Sequence, residues 1–119
     1  MNGTHDPYAP SRMRASNPMV YILKDEFQSL LSSPQRVDVC EWVAKCFYQL
    51  EQFDEAGSWY ETAGQLILAE PSTPAPIKAM SALPEYERAL DCYLRSDDTD
   101  SFTECSTMIR QLKRACASA

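Results

Sequence analysis

Apolar side chains recur along most of this chain at intervals of three and four residues, the period of a helix with one face turned inward. Val20, Leu23, Phe27, Leu30 and Leu31 trace the first such stripe and predict a helix over residues 18–31. Asn17 is its N-cap, and Pro18 takes the first helical position, where a missing N–H costs nothing. Ser32 and Gln35 form a capping-box pattern around Pro34, and Val37, Cys40, Val43, Ala44, Phe47 and Leu50 carry a second helix through residue 50. Asp54 and Glu55 put negative charge at the N-terminus of a third helix over 54–68, where the backbone dipole favours it. Its inner face reads Ala56, Trp59, Tyr60, Ala63 and Ile67.

The period then breaks. Pro71, Pro74, Pro76 and Pro84 argue against one long helix, because an interior proline removes a hydrogen bond and clashes with the preceding turn. Residues 76–82 have room for two turns, and a helix over 84–95 carries Tyr86, Ala89, Leu90 and Tyr93. Ser101 with Glu104 suggests another capping box, opening a helix to residue 116 lined by Cys105, Met108, Ile109, Leu112 and Cys116. Nothing reads as strand. The expected fold is all-α, about five helices in antiparallel hairpins, forming one domain over 17–117 behind a flexible tail of residues 1–16 that lacks periodicity.

One stretch is nearly said twice. FDEAGSWYETAG, from Phe53 to Gly64, is echoed by YERALDCYLRSD, from Tyr86 to Asp97. Phe53 and Tyr86, Ala56 and Ala89, Tyr60 and Tyr93 share an offset of 33 residues, the mark of an internal helical repeat. The small residues at 56 and 89 let helix axes approach, while the tyrosines one turn on fill the wider gap with their hydroxyls at the rim.

This pattern resembles the tetratricopeptide repeat (TPR) family, whose unit is about 34 residues of helix–turn–helix. Val43, Ala44 and Phe47 match that family's first helix, and Phe53, Ala56, Tyr60 and Ala63 its second. The likeness covers residues 37–68 well and 84–95 on the second-helix half. Cys40 stands where the family often has Trp, Glu51 where the turn usually has Gly, and Pro71 comes late. The second block also looks like repeats in vesicle-coat, intraflagellar-transport and helicase-linked repeat proteins. A repeat unit cannot bury its apolar face alone, so so short an α-solenoid fragment needs capping helices, a second copy, or a longer parent chain.

Charge and composition narrow the partners. Seventeen acids against eleven bases give a net charge of −6, which disfavours polyanions, whose binding draws on phosphate neutralisation, and anionic membrane surfaces. No signal-peptide pattern and no run of about 20 apolar residues is present, so an intracellular setting, cytoplasmic or nuclear, is expected. Five cysteines stand without a CxxC pair, and the one histidine, His5, lies in the tail, so no metal or cofactor is expected. Cys40, Cys105 and Cys116 read as core, Cys46 and Cys92 as lying off the stripes. No base accompanies a nucleophile, and the carboxylate pairs Asp54–Glu55 and Asp97–Asp98 fall at helix ends, so an enzyme is not expected.

What remains is a protein-binding module, an adaptor or scaffold. The tetratricopeptide resemblance implies that first-helix residues line the inner surface, which nominates Glu41, Lys45 and Tyr48 for contact with a peptide, with Trp42 beside them. Ordinary surface or inter-repeat packing is an equally open reading of these four. The carboxylate clamp of chaperone-tail-binding members is disfavoured, because position 41 is Glu and no Asn follows Asn17. Alternatives are a self-associating structural subunit and a regulatory segment of a larger helicase-type or trafficking protein.

Overall fold

The structure, a computed structural model, describes residues 32–118. The tail over 1–16 and the predicted helix over 18–31 lie outside them. Among the described residues there are four helices and no strand: α1 (Ser33–Gln49), α2 (Phe53–Leu68), α3 (Ala75–Arg95) and α4 (Thr99–Ala117). Each packs on its neighbour in sequence, α1 on α2, α2 on α3 and α3 on α4.

The start of α1 follows from its capping box. The Ser32 backbone N–H donates to Gln35 Oε1 at 2.9 Å, and the Gln35 N–H donates to Ser32 Oγ at 3.4 Å. Two orphan donors are satisfied reciprocally. The start of α4 differs from expectation: Asp98, not Ser101, is the N-cap, accepting from the Ser101 N–H at 3.1 Å. Ser101 therefore lies inside the first turn, where it is buried.

α1 and α3 end alike. Gln52 N–H donates to Phe47 O at 2.9 Å and Glu51 N–H to Tyr48 O at 3.0 Å; Asp98 N–H donates to Tyr93 O at 3.1 Å and Asp97 N–H to Leu94 O at 3.4 Å. This is the Schellman arrangement, and it needs one residue in the left-handed region. Glu51 and Asp97 supply it, with φ of 60° and 59°. Glu51 thus does, at a cost, what the glycine of a tetratricopeptide turn does freely. The two turns make a pair of α-hairpins, α1–α2 and α3–α4, joined by the proline-bearing link after Leu68.

That link is where the sequence-based expectation fails. Residues 76–82 and 84–95 are one helix, with Pro76 in its first turn and Pro84 in its interior. An interior proline costs roughly 3 kcal/mol. α3 recovers this because it packs against both α2 and α4, burying Ala79, Ala82, Tyr86, Ala89, Cys92 and Tyr93. Burial of one large side chain contributes about 1.5–3 kcal/mol, so two tyrosines alone offset the proline. The same double contact explains Cys92, expected off the apolar stripes and in fact fully buried, whereas Cys116 is only half-buried.

The continuous α3 also changes the meaning of the 33-residue echo. Its two copies are not equivalent second helices of successive units; they lie on α2 and α3, which face one another in opposite directions. A Cβ added at Gly57 would lie 2.7 Å from Tyr93 Cε1, and one at Gly64 2.5 Å from Tyr86 Cε2. Each tyrosine of α3 is therefore seated on a glycine of α2. Ala56 and Ala89 are fully buried, as close helix approach requires. The Tyr93 hydroxyl, expected at a wet rim, is fully buried and donates to the Glu61 carboxylate instead. On the far side, the Cys105 thiol donates to Tyr86 O at 3.1 Å, tying α4 to the same helix.

Two substitutions test these constraints. Gly64→Ala gains about 1 kcal/mol of helix propensity but forces the buried Tyr86 ring aside at about 1–3 kcal/mol, so it lowers the urea midpoint. Glu51→Gly relieves about 1–2 kcal/mol of left-handed strain against about 0.5–1 kcal/mol of added chain entropy, so the same measurement moves upward.

Candidate functional site

α1 and α3 are the first helices of their hairpins and run in the same direction, with α2 beneath them. Pro34, Val37, Glu41 and Tyr48 follow at helical spacing along one face of α1, and Lys78, Ser81, Glu85, Arg88 and Asp91 along the opposing face of α3. Two hollows lie between these rows. The first, of about 440 Å³, is lined by Tyr48 of α1, Tyr60 of α2, and Pro84, Glu87, Arg88 and Asp91 of α3. The second, of about 190 Å³, is lined among others by Pro34 and Val37, Leu66 and Ile67, and Lys78 and Ser81. Together they form one trough, charged and aromatic at one end and apolar at the other.

At the aromatic end the wall is held by a cross-helix group. The Tyr48 hydroxyl donates to Asp91 Oδ2 at 3.2 Å, and its ring meets Phe53 edge-on with centroids 5.1 Å apart. Arg95 donates from Nε to Asp91 Oδ2 at 3.1 Å and covers the Tyr48 and Phe53 rings at 5.5 and 5.6 Å. Partial burial, then the Asp91 carboxylate, push the Tyr48 hydroxyl above its ordinary value. Arg88 covers the Tyr60 ring at 5.9 Å. These are cation–π contacts at exposed sites, about 0.5–1 kcal/mol each.

Between the two hollows sits Glu85. It is only 4% exposed. Its Oε2 meets Arg88 Nη1 at 3.5 Å, and its Oε1 is buried with no hydrogen-bond donor from the described residues. From α1, the Glu41 carboxylate acts on it as a second acid. Burial first, then the neighbouring Glu41 carboxylate, push Glu85 up to about 8, against the pull of Arg88 and Lys45.

The sequence-nominated residues are thus divided. Tyr48 lines the trough, while Glu41 and Lys45 act electrostatically on Glu85, one raising its pKa and the other lowering it. Trp42 is 67% exposed and points from another face of α1, one shared with the exposed Cys46 and Leu50. Glu85, Arg88 and Asp91 went unnominated. The available signal was the spacing Ala82, Glu85, Ala89, Cys92, which sets a carboxylate within an otherwise apolar stripe.

Burial raises the thiols of Cys92 and Cys105 to about 12, so neither is a nucleophile at neutral pH. Among the described residues no group of three or more His, Cys, Asp or Glu could hold a metal ion, and no helix is long and apolar enough to cross a membrane. Comparison with protein-family models, curated proteins and solved structures finds no match to the chain.

Glu85 makes stability depend on pH in a definite direction. Between its ordinary 4.5 and its folded value of about 8, the folded chain holds a proton that the unfolded chain has lost. Its contribution is complete below that window and is lost as pH rises through it. Melting followed by circular dichroism should show the wild type losing about 5 °C or more between about pH 5 and pH 8, relative to Glu85→Gln, which has no such proton to lose.

Proposed function

We propose that the chain is a non-enzymatic interaction module, a short array of tetratricopeptide-like α-hairpins that receives a protein segment in the trough between α1 and α3. The observation that carries this reading is the make-up of the trough. Aromatic anchors, Tyr48 and Tyr60, stand among charged rim residues, Glu87, Arg88 and Asp91, around a hollow of about 440 Å³. Aromatic anchors enclosed by a polar rim are the usual carriers of interface affinity. Likeness to tetratricopeptide proteins lies in arrangement rather than register: α1 to α3 (Ser33 to Ala75) and α2 to α4 (Phe53 to Thr99) begin further apart than that family's unit of about 34 residues.

A second reading, self-association, is favoured by one observation: Trp42, Cys46 and Leu50 are exposed along one side of α1. The two readings use different faces of the same helix and separate cleanly. Affinity capture with the wild type, with Tyr48→Ala/Arg88→Ala and with Trp42→Glu is the experiment, backed by sedimentation over a concentration series. The trough reading expects bound protein to fall at least about tenfold with the trough variant, at unchanged helicity, and to persist with Trp42→Glu. Retention by the trough variant removes the trough from consideration. A concentration-dependent mass abolished by Trp42→Glu marks self-association instead.

A further inference from the structure

α1 carries two apolar stripes, and the core uses one of them. Cys40 and Ala44 are fully buried, with Val37 and Phe47 packed beside them. Half a turn round the helix from Glu41 and Tyr48, on the side away from the trough, a second stripe runs through Val39, Val43, Cys46 and Leu50. Val39 and Val43 are half-buried, Cys46 is exposed and Leu50 is 64% exposed, with Trp42, at 67%, along the edge. α2 takes the core side of α1 and α3 faces it across the trough, so this stripe is turned away from every described helix.

The chain that leads into α1 carries a matching pattern. Val20, Leu23, Phe27 and Leu30 lie at helical spacing in residues 18–31, and Ser32, the N-cap of α1, follows at once. Helices joined by so short a connection are antiparallel neighbours. Counting outward from that turn sets Phe27 beside Val39, Leu23 beside Val43 and Val20 beside Cys46. Both rows step by four residues and then by three, so three apolar pairs meet in a single register. A shift of one residue either way takes the partners off this stripe. Length agrees as well: a helix over 18–31 is about 21 Å long, as is the stretch of α1 from Ser33 to Cys46. A second copy of the chain is the rival occupant. It competes with a tethered segment whose effective concentration is roughly millimolar.

We propose that residues 18–31 form a helix seated antiparallel on the outer stripe of α1, with Val20 against Cys46, Leu23 against Val43 and Phe27 against Val39, closing the amino-terminal end of the helical array. The seat is on the opposite side of α1 from the trough, so it does not rest on the interaction-module reading, and either can fail without the other.

The test uses the full chain with Cys116→Ser, which leaves Cys46 as the exposed native thiol. Val20→Cys is added, and the dilute protein is treated with a mild oxidant. The expected product is a disulfide between positions 20 and 46 within one chain, located by peptide mass. Tyr21→Cys, turned about 100° from the stripe, gives little or none. Hydrogen exchange on the unsubstituted chain covers the case in which Val20→Cys fails to fold. It should show protected amides over 18–31, and Val43→Asp should lower that protection at least about tenfold while α3 and α4 keep theirs. A bond formed only between two chains assigns the stripe to a second copy and overturns the proposal. So do equal yields from Val20→Cys and Tyr21→Cys, no bond in a chain that is folded, or unprotected amides over 18–31.

Discussion

Two rings set on two missing side chains hold this fold together. Tyr93 lies over Gly57 and Tyr86 over Gly64, so α2 and α3 approach more closely than any Cβ at those positions would allow. Because both rings belong to α3, that helix is fixed in direction as well as in distance: two seats two turns apart allow one antiparallel register. The rings then serve their other sides. Tyr93 donates to Glu61 on α2, and the backbone carbonyl of Tyr86 accepts from Cys105 on α4. α3 becomes the helix to which everything else is referred, and an interior proline is tolerated within it.

From that axis the trough follows. The Schellman turns at Glu51 and Asp97 fold α1 and α4 back against their partners in the same way, so the first helices of the two hairpins come to lie on the same side. They are bridged by side chains, not packed backbone to backbone, and the space left between them is the trough. Its floor is α2, the helix whose small residues brought α3 so close. The close approach and the open groove are thus two faces of one arrangement, since α1, lacking such a seat on α3, stands off from it.

How much of this the sequence disclosed depended on whether the relevant force was local. The capping box at Ser32 and Gln35 and the inner face Ala56, Trp59, Tyr60, Ala63 are written in neighbouring residues, and they were legible. Glu41, Lys45 and Tyr48 were nominated through the tetratricopeptide resemblance, and helical spacing puts them on one face of α1. Pro84 misled because its local penalty of about 3 kcal/mol is overridden by burial against two other helices, which no local pattern announces. With a helix expected to start at residue 84, nothing singled out Glu85. Gly57 and Gly64 were passed over for a related reason: their role appears only once the tyrosines that sit on them are known to be across the interface. Asp98 displaced Ser101 as N-cap because Asp97 takes the left-handed turn just before it, a choice made by the end of α3, not by the start of α4.

Glu85 is placed next to Pro84 with physical consequence. Proline has no N–H to donate, so the turn of α3 leading into Glu85 lacks one rung of its ladder; the carbonyl left over belongs to Met80, whose side chain is exposed and whose surroundings water can reach. A helix is most compliant where a rung is absent. The buried carboxyl therefore sits at the softest turn of the helix that packs on two described neighbours. A group whose charge costs most when buried is put where strain from that charge is relieved most cheaply, just ahead of the glycine-seated Tyr86 and Tyr93 that hold the rest of α3 on α2. Stability would be served better by an apolar side chain at position 85, since a buried carboxyl that must keep its proton adds less than a packed leucine. That a titratable acid stands there, beside the groove and with its Oε1 unpaired among the described residues, is more economically understood as a property of the groove than of the core.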